Sequence, residues 1–180
     1  MIDFGHGAAL VNLKHEDSHK LRAWRNNMSI WKWCRQNDLI EYHEHHDWFE
    51  KQRTDPSIKM YQIQVGTIGI GSGEPLNVAG VCGLTSIDTL NRRAEFSCYV
   101  GPEYQKKGYA KAALKTLFDH GFKNLGLKLI YCETFEGNPA IHLFENTLKM
   151  KREGVRRSFY FKDGKFIDAV LLSVLDTEWL

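Results

Sequence analysis

Residues 8–13 read Ala-Ala-Leu-Val-Asn-Leu, an apolar run that predicts a short strand, and Asp17 or Ser18 then stands where a helix would be capped. That helix carries Leu21, Trp24, Arg25 and Met28 on one side. Tyr42, His45, Phe49 and Gln52 recur at three-to-four spacing and predict a second helix over 42–53, stopped by Asp55-Pro56. Strands are predicted at 60–68 and 77–87, joined by the glycine-rich turn Gly69–Gly73, and at 92–100, where Arg-Ala-Glu-Phe-Ser-Cys-Tyr-Val alternates. Ala110, Ala113, Leu114, Leu117, Phe118 and Phe122 form the apolar stripe of a helix over 108–124, closed by Gly126. A strand at 127–134, a helix at 139–148 and a hairpin of 155–162, Asp163-Gly164 and 165–175 complete the pattern. The order β, α, α, β, β, β, α, β, α, β, β describes a mixed α+β fold with a strand-turn-helix unit at its centre.

Composition narrows the partners. The chain has 180 residues, 43% of them hydrophobic, and no repeat or linker divides it, so one domain over 1–180 is expected. A net charge of +2, from 24 basic against 22 acidic residues, gives no overall field for nucleic acid or an anionic membrane. Neither partner is expected, and any anion site is local. No segment approaches the ~18 apolar residues of a membrane span, and the first residues lack the basic-then-apolar pattern of an export signal. Cys34, Cys82, Cys98 and Cys132 show neither metal-ligand spacing nor disulfide density, which fits reduced thiols and a cytoplasmic location. His43, His45 and His46 lie beside Glu44 and Asp47, but only His43 and His46 share a helical face, so no metal is expected. Gly69-x-Gly71-x-Gly73 has no helix after it and reads as a hairpin turn rather than a nucleotide loop.

The segment from Tyr99 to Leu114 runs from a strand end, through a basic loop, into a helix N-terminus. Unpaired N–H groups of a first helical turn, with the positive end of the helix dipole, bind phosphate oxygens. Gly108 lets the backbone approach closely, and Lys106, Lys107 and Lys111 add charge; the competing reading is a solvated basic helix start.

Gln105-x-x-Gly108-x-Ala110 after Tyr99-Val100-Gly101 resembles motif A of the Gcn5-related N-acetyltransferases, Arg/Gln-x-x-Gly-x-Gly/Ala. Arg93-Ala94-Glu95, Asn138-x-Ala140, Lys151-Arg152-Glu153-Gly154 and Asp168 are similar to the branch that includes ribosomal-protein alanine, spermidine and sugar-nucleotide acetyltransferases, so the resemblance covers nearly the whole chain. It implies a central mixed, mostly antiparallel twisted sheet of about seven strands flanked by about four helices. It also implies acetyl-CoA as cofactor and acetyl transfer to a primary amine of a small molecule by direct attack in a ternary complex. Phe96, Cys98, Tyr99, Val100, Gln105, Lys106, Lys107, Gly108, Tyr109, Ala110, Lys111, Asn138 and Phe144 map to cofactor contacts. Leu21-x-x-Trp24-Arg25-Asn26 and Glu44-His45-x-x-Trp48-Phe49 resemble enzymes that acetylate the 4-amino group of a nucleotide-linked deoxysugar, which makes Trp24, Arg25, Asn26, His45 and Trp48 substrate-binding candidates. Burial beneath the first two helices is the other reading of the tryptophans. The alternatives are a protein N-terminal α-amine acetyltransferase and a non-catalytic CoA-binding module; a homodimer fits any of them.

An alkylamine of pKa ~10 must lose a proton before it attacks, and Glu95 is the first candidate base, on one strand face with Ser97 and Tyr99. A structural ion pair with Arg92, Arg93 or a neighbouring strand is the alternative. Many members of the resembled family place a tyrosine hydroxyl where this chain has Phe144, so His142, Tyr99, Tyr104 or water is left to protonate the leaving thiolate. Asn138 also suits a helix N-cap before Pro139. Lys149 replaces a family glycine at a helix end, so a different cap is expected there.

Overall fold

The structure, a computed structural model, describes residues 2–3, 8–66 and 77–179. Among the described residues eight strands form one sheet in the order β1-β2-β3-β4-β5-β6-β8-β7. These are β1 (Ile2–Asp3), β2 (Ala8–Asn12), β3 (Lys59–Val65), β4 (Asn77–Asp88), β5 (Arg93–Val100), β6 (Leu129–Phe135), β7 (Lys151–Lys162) and β8 (Lys165–Leu175). All seven expected strands are present, and the two-residue β1 is added at one edge. The helices are α1 (Ser18–Arg25), α2 (Met28–Trp31), α3 (Tyr42–Thr54), α4 (Tyr109–Asp119), α5 (Ile141–Asn146) and α6 (Asp176–Trp179). The four expected helices are α1, α3, α4 and α5; α2 and α6 are single turns too short to show a period.

Local chemistry explains most boundaries. Neither Asp17 nor Ser18 caps α1 through its side chain, because the Ser18 hydroxyl meets the His45 imidazole at 3.1 Å instead. The first helix stops at Arg25 rather than reaching Met28, since Asn27 turns the chain out and accepts the Ser29 N–H to start α2. Glu41 and Glu44 cap α3 reciprocally. The α3 stripe narrows to His45 and Phe49, with Tyr42 exposed. The α4 helix continues as a π turn over His120–Asn124, where Gly121 fits because a Cβ would lie 2.9 Å from Ile130. At the hairpin tip Asp163 and Gly164 take φ of 51° and 77°, the left-handed pair a tight two-residue turn requires. The turn Gly69–Gly73 lies outside the described residues.

Lys149 departs from expectation in an instructive way. Instead of a different cap, it takes the left-handed conformation itself, at φ 57°, and the Met150 N–H closes the turn on the Phe144 carbonyl at 3.0 Å. Buried Leu148 and Met150 on either side hold it there.

The sheet separates two cores. Leu21, Trp24, Ile30, Met60, Val78 and Val81 pack under α1 and α2, while the larger core joins Leu84, Ala94, Phe96 and Ile130 to Leu114, Leu117 and Phe118 of α4 and Phe144 of α5. Alternation along β5 therefore sends Phe96 and Cys98 to the α4 side and Tyr99 to the α1 side. Every neighbouring pair is antiparallel except β5–β6. Among the described residues no helix is long and apolar enough to cross a membrane.

Candidate active site

The single parallel pair creates the site. The β5–β6 register runs only from Arg93↔Leu129 to Glu95↔Tyr131. Beyond it β5 stays on β4 as far as Val100, and β6 stays on β8 as far as Phe135, so the two strands part. The edge of β5 over 96–100 that faces away from β4 has N–H and C=O groups with no strand partner. A cavity of about 620 Å³ occupies the split.

One end of that cavity is the loop expected to hold an anion. Gln105 turns back to donate from Nε2 to the Val100 carbonyl at 3.2 Å. Lys106 and Gly108 both take left-handed φ, 60° and 85°, and α4 begins at Tyr109. A Cβ built on Gly108 would meet nothing within 4 Å, so the backbone there faces open space. Gln105, Lys106, Gly108, Tyr109, Ala110 and Lys111 line the cavity. Lys107 does not; it is exposed, with its ammonium 5.6 Å from the Tyr104 ring. The geometry suits an extended phosphorylated ligand, with phosphates on the loop and helix N-terminus and an arm along the free edge of β5.

The middle is apolar. Phe96 and Phe144 meet edge to face at 5.1 Å, and both line the cavity with Cys98, Val100 and Leu143. Burial pushes the Cys98 thiol up to about 12 and raises Cys132 as well, so neither provides a thiolate nucleophile. Asn138 also lines the cavity, but its side chain is engaged: Oδ1 accepts the Ala140 N–H at 3.0 Å and Nδ2 donates to Thr134 at 2.8 Å.

The far end is polar. Glu95 faces the cavity with its side chain only 14% exposed and accepts from Arg35 Nη2 at 2.7 Å. Its ionic partner is thus Arg35, not the Arg92 or Arg93 beside it; Arg93 pairs with Asp88. Glu133, on β6 across the split, pairs with Arg156 at 2.6 Å and accepts the Tyr160 hydroxyl. Arg25 donates to Gln36, and its guanidinium lies 5.6 Å from the Tyr99 ring. The Tyr99 hydroxyl is buried without a hydrogen-bond partner among the described residues. Burial, only partly offset by Arg25, pushes that phenol well up.

Several expected substrate contacts lie elsewhere. Trp24 is buried flat on Gly101, where a Cβ would come within 2.4 Å of the indole, and meets Tyr104 edge on. Asn26 exchanges two hydrogen bonds with the Ile40 backbone, at 3.0 and 2.8 Å. His45 is buried between α1 and α3, tilted against the half-buried Trp48. None of these four lines the cavity, whereas Arg25 does. His142 is exposed on α5 and does not line the cavity, which argues against it as a proton donor.

The residues that sequence reasoning missed are Arg35, Gln36, Glu133 and Lys162. Lys162 ends β7, is 3% exposed, and donates to the carbonyls of Trp31, Cys34 and Gln36 at 2.9, 2.7 and 2.7 Å. Its ammonium also sits 3.8 Å from the Trp31 ring. This buried cation fastens the loop that presents Arg35 and Gln36. Alternation along β6 could have flagged Glu133; nothing local marks the other three.

Comparison with known proteins agrees with this geometry. The family model for the acetyltransferase (GNAT) domain matches residues 9–143. The chain is 29% identical over 176 residues to spermidine N(1)-acetyltransferase of Escherichia coli (strain K12), covering 97% of this chain and 89% of that protein. The crystal structure of spermidine N-acetyltransferase from Vibrio cholerae in complex with CoA and spermine superposes with a TM-score of 0.87 at 23% identity, over 97% of this chain and 99% of that one. A dodecameric structure of the Vibrio cholerae enzyme in an intermediate state gives 0.78 at 23% identity, over 98% of each chain. At these identities the two structural likenesses speak for the fold.

Proposed function

Since the chain belongs to the acetyltransferase (GNAT) family and is an N-acetyltransferase that uses acetyl-CoA, we propose that it acetylates a primary alkylamine of a small molecule, with a spermidine-type polyamine the first candidate. The observation that carries this is the split between β5 and β6, with the anion loop at one end and two carboxylates, Glu95 and Glu133, at the other. Two carboxylates on neighbouring strands suit an acceptor with more than one ammonium group. Arg35 and Arg156, whose side chains are half exposed, hold those positions in the free protein, and an ammonium group of the acceptor would replace them as the partner of each sheltered carboxylate. The nucleotide-linked amino sugar inferred from Trp24, Asn26, His45 and Trp48 loses its basis, since those side chains do not reach the cavity.

Bound acetyl-CoA supplies an acyl thioester, whose C–S bond breaks as the amine forms the amide bond. The protein's part is chiefly placement, which can lower a barrier by ~7–11 kcal/mol. Glu95, released from Arg35, accepts the amine proton directly or through water. An N–H on the free edge of β5 stabilises charge on the carbonyl oxygen. Tyr99, which lines the cavity with a hydroxyl that has no partner among the described residues, is the candidate donor to the leaving thiolate in place of the hydroxyl that Phe144 lacks; its raised pKa makes it a weak acid, and Tyr104 is the comparison residue. Reduced Cys34, Cys82, Cys98 and Cys132 support a cytoplasmic location. Exposed Phe159, Phe161 and Phe166 on the β7–β8 hairpin support self-association.

The test is thiol release from acetyl-CoA with spermidine, spermine, nucleotide-linked amino sugars and ribosomal-protein N-terminal peptides. Turnover is expected with polyamines, falling at least a hundredfold in Glu95→Gln with the KM for acetyl-CoA unchanged. Tyr99→Phe should lower kcat more than Tyr104→Phe does. Saturable acetyl-CoA binding without thiol release for any acceptor would overturn an enzymatic role.

A further inference from the structure

The sequence sets metal binding aside because only His43 and His46 share a helical face, but the fold supplies a third residue from outside α3. His15, in the 3-10 turn His15–Asp17 that leads from β2 into α1, lies beside His46, their rings 5.9 Å apart and nearly perpendicular. Glu50 follows His46 by four residues and so occupies the same face of α3. The ligand atoms of His15, His46 and Glu50 all lie within 4.8 Å of one another.

We propose that His15, His46 and Glu50 form a binding site for a divalent transition-metal ion of the zinc, cobalt or nickel class, which fastens the turn before α1 to α3, outside the acyl-transfer cavity. Two imidazoles and a carboxylate select this class over magnesium or calcium, which take oxygen ligands. Metal-ligand bonds of ~2.1 Å place tetrahedral ligand atoms ~3.4 Å apart, so the three groups close inward by side-chain rotation alone. His15 is exposed and free to make that rotation, while its ring rests edge on against Phe49 at 5.5 Å. Tyr42 stacks on His46, ring centroids 6.2 Å apart, and steadies that imidazole.

The existing partner of Glu50 is Arg53, at 3.5 Å with both side chains about half exposed, a contact an ion displaces at little cost. Three protein ligands leave one position for water, so the bound ion remains exchangeable. The mechanical consequence follows from α1, which carries Arg25 to the cavity and Ser18 to His45. An ion joining the start of α1 to α3 stiffens the frame that presents Arg25.

The experiment is calorimetric titration of the chelator-treated full-length protein with Zn²⁺ and Co²⁺. One equivalent is expected to bind with micromolar affinity, the Co²⁺ form showing visible d–d bands and no thiolate charge-transfer band. His15→Gln, His46→Gln and Glu50→Gln should each weaken binding at least tenfold, and Arg53→Ala should leave it equal or tighter. At a hundredfold excess over Kd the ion should raise Tm by roughly 5–10 °C in the wild type and not in the His15→Gln/His46→Gln double variant. With His15 exposed and His46 only half-buried, the double variant is expected to match the metal-free wild type in circular dichroism, so loss of binding reports on ligands and not on unfolding. Binding retained in that variant, or none below millimolar concentration, overturns the site.

Discussion

His45 makes the protein's stability depend on pH in a window that can be worked out. Its imidazole is 4% exposed, meets Ser18 through Nδ1, and has no hydrogen-bond partner for Nε2 among the described residues. Burial first, then Arg22, Arg25 and His19, lower its pKa from 6.5 to about 4. In the unfolded chain the ring takes a proton near pH 6.5, but in the folded chain only near 4, so between those values the unfolded state binds more protons. Stability is therefore complete above about pH 7 and falls as pH drops through 6.5 toward 4. The full gap corresponds to about 3 kcal/mol, and the part between pH 7.5 and pH 5 to about 2 kcal/mol. For a chain of this size that lowers Tm by roughly 4–8 °C. The lowered carboxyls, such as Asp119, contribute only below about pH 5 and leave the range from pH 5 to 7.5 to His45. Urea unfolding at half-unit steps from pH 5 to 7.5 should show the loss in the wild type and a flatter profile in His45→Phe. Imidazole NMR of the folded wild type gives an independent reading. A His45 resonance titrating near 6.5, or an unchanged pH slope in the variant, would refute the reasoning.

Three further outcomes follow from single side chains. Lys162→Met removes the buried cation shared by three half-buried carbonyls and should cost about 2–4 kcal/mol in chemical denaturation. It should also raise the KM for the amine far more than that for acetyl-CoA, and equal effects on both would detach Lys162 from the acceptor loop. Gly108→Ala forces a Cβ into φ 85°, costing about 1 kcal/mol in stability and weakening acetyl-CoA binding in calorimetry; undiminished affinity would contradict the phosphate role of that turn. Lys149→Gly relieves a left-handed lysine and should stabilise the protein by about 0.5–1 kcal/mol in urea, with the α5 turn unchanged.

How much could be read in advance follows from sequence distance. The end of the cavity at the 105–111 loop is local: Val100, Gln105, Gly108 and the start of α4 fall within ten residues, and strand alternation, a glycine and a helix stripe announce them in order. The polar end, with Glu95 and Glu133, is assembled from far apart. Arg35 reaches Glu95 across 60 residues, and Lys162 reaches Trp31 across 131. No periodicity encodes either contact, because each exists only once the hairpin β7–β8 and the 31–36 loop meet over the sheet. The cluster of tryptophans drew attention to the right neighbourhood but for packing reasons: Trp24 lies under the loop entry, and Trp31 serves as the floor beneath Lys162. The same logic accounts for Lys149, where missing glycine suggested a changed cap while buried Leu148 and Met150 impose the old backbone path. On the proposed assignment, acceptor choice rests on tertiary contacts rather than on a motif. Substitutions in the 31–36 loop or at Lys162 should then alter which amine is taken while leaving the Gln105–Ala110 loop and its cofactor untouched.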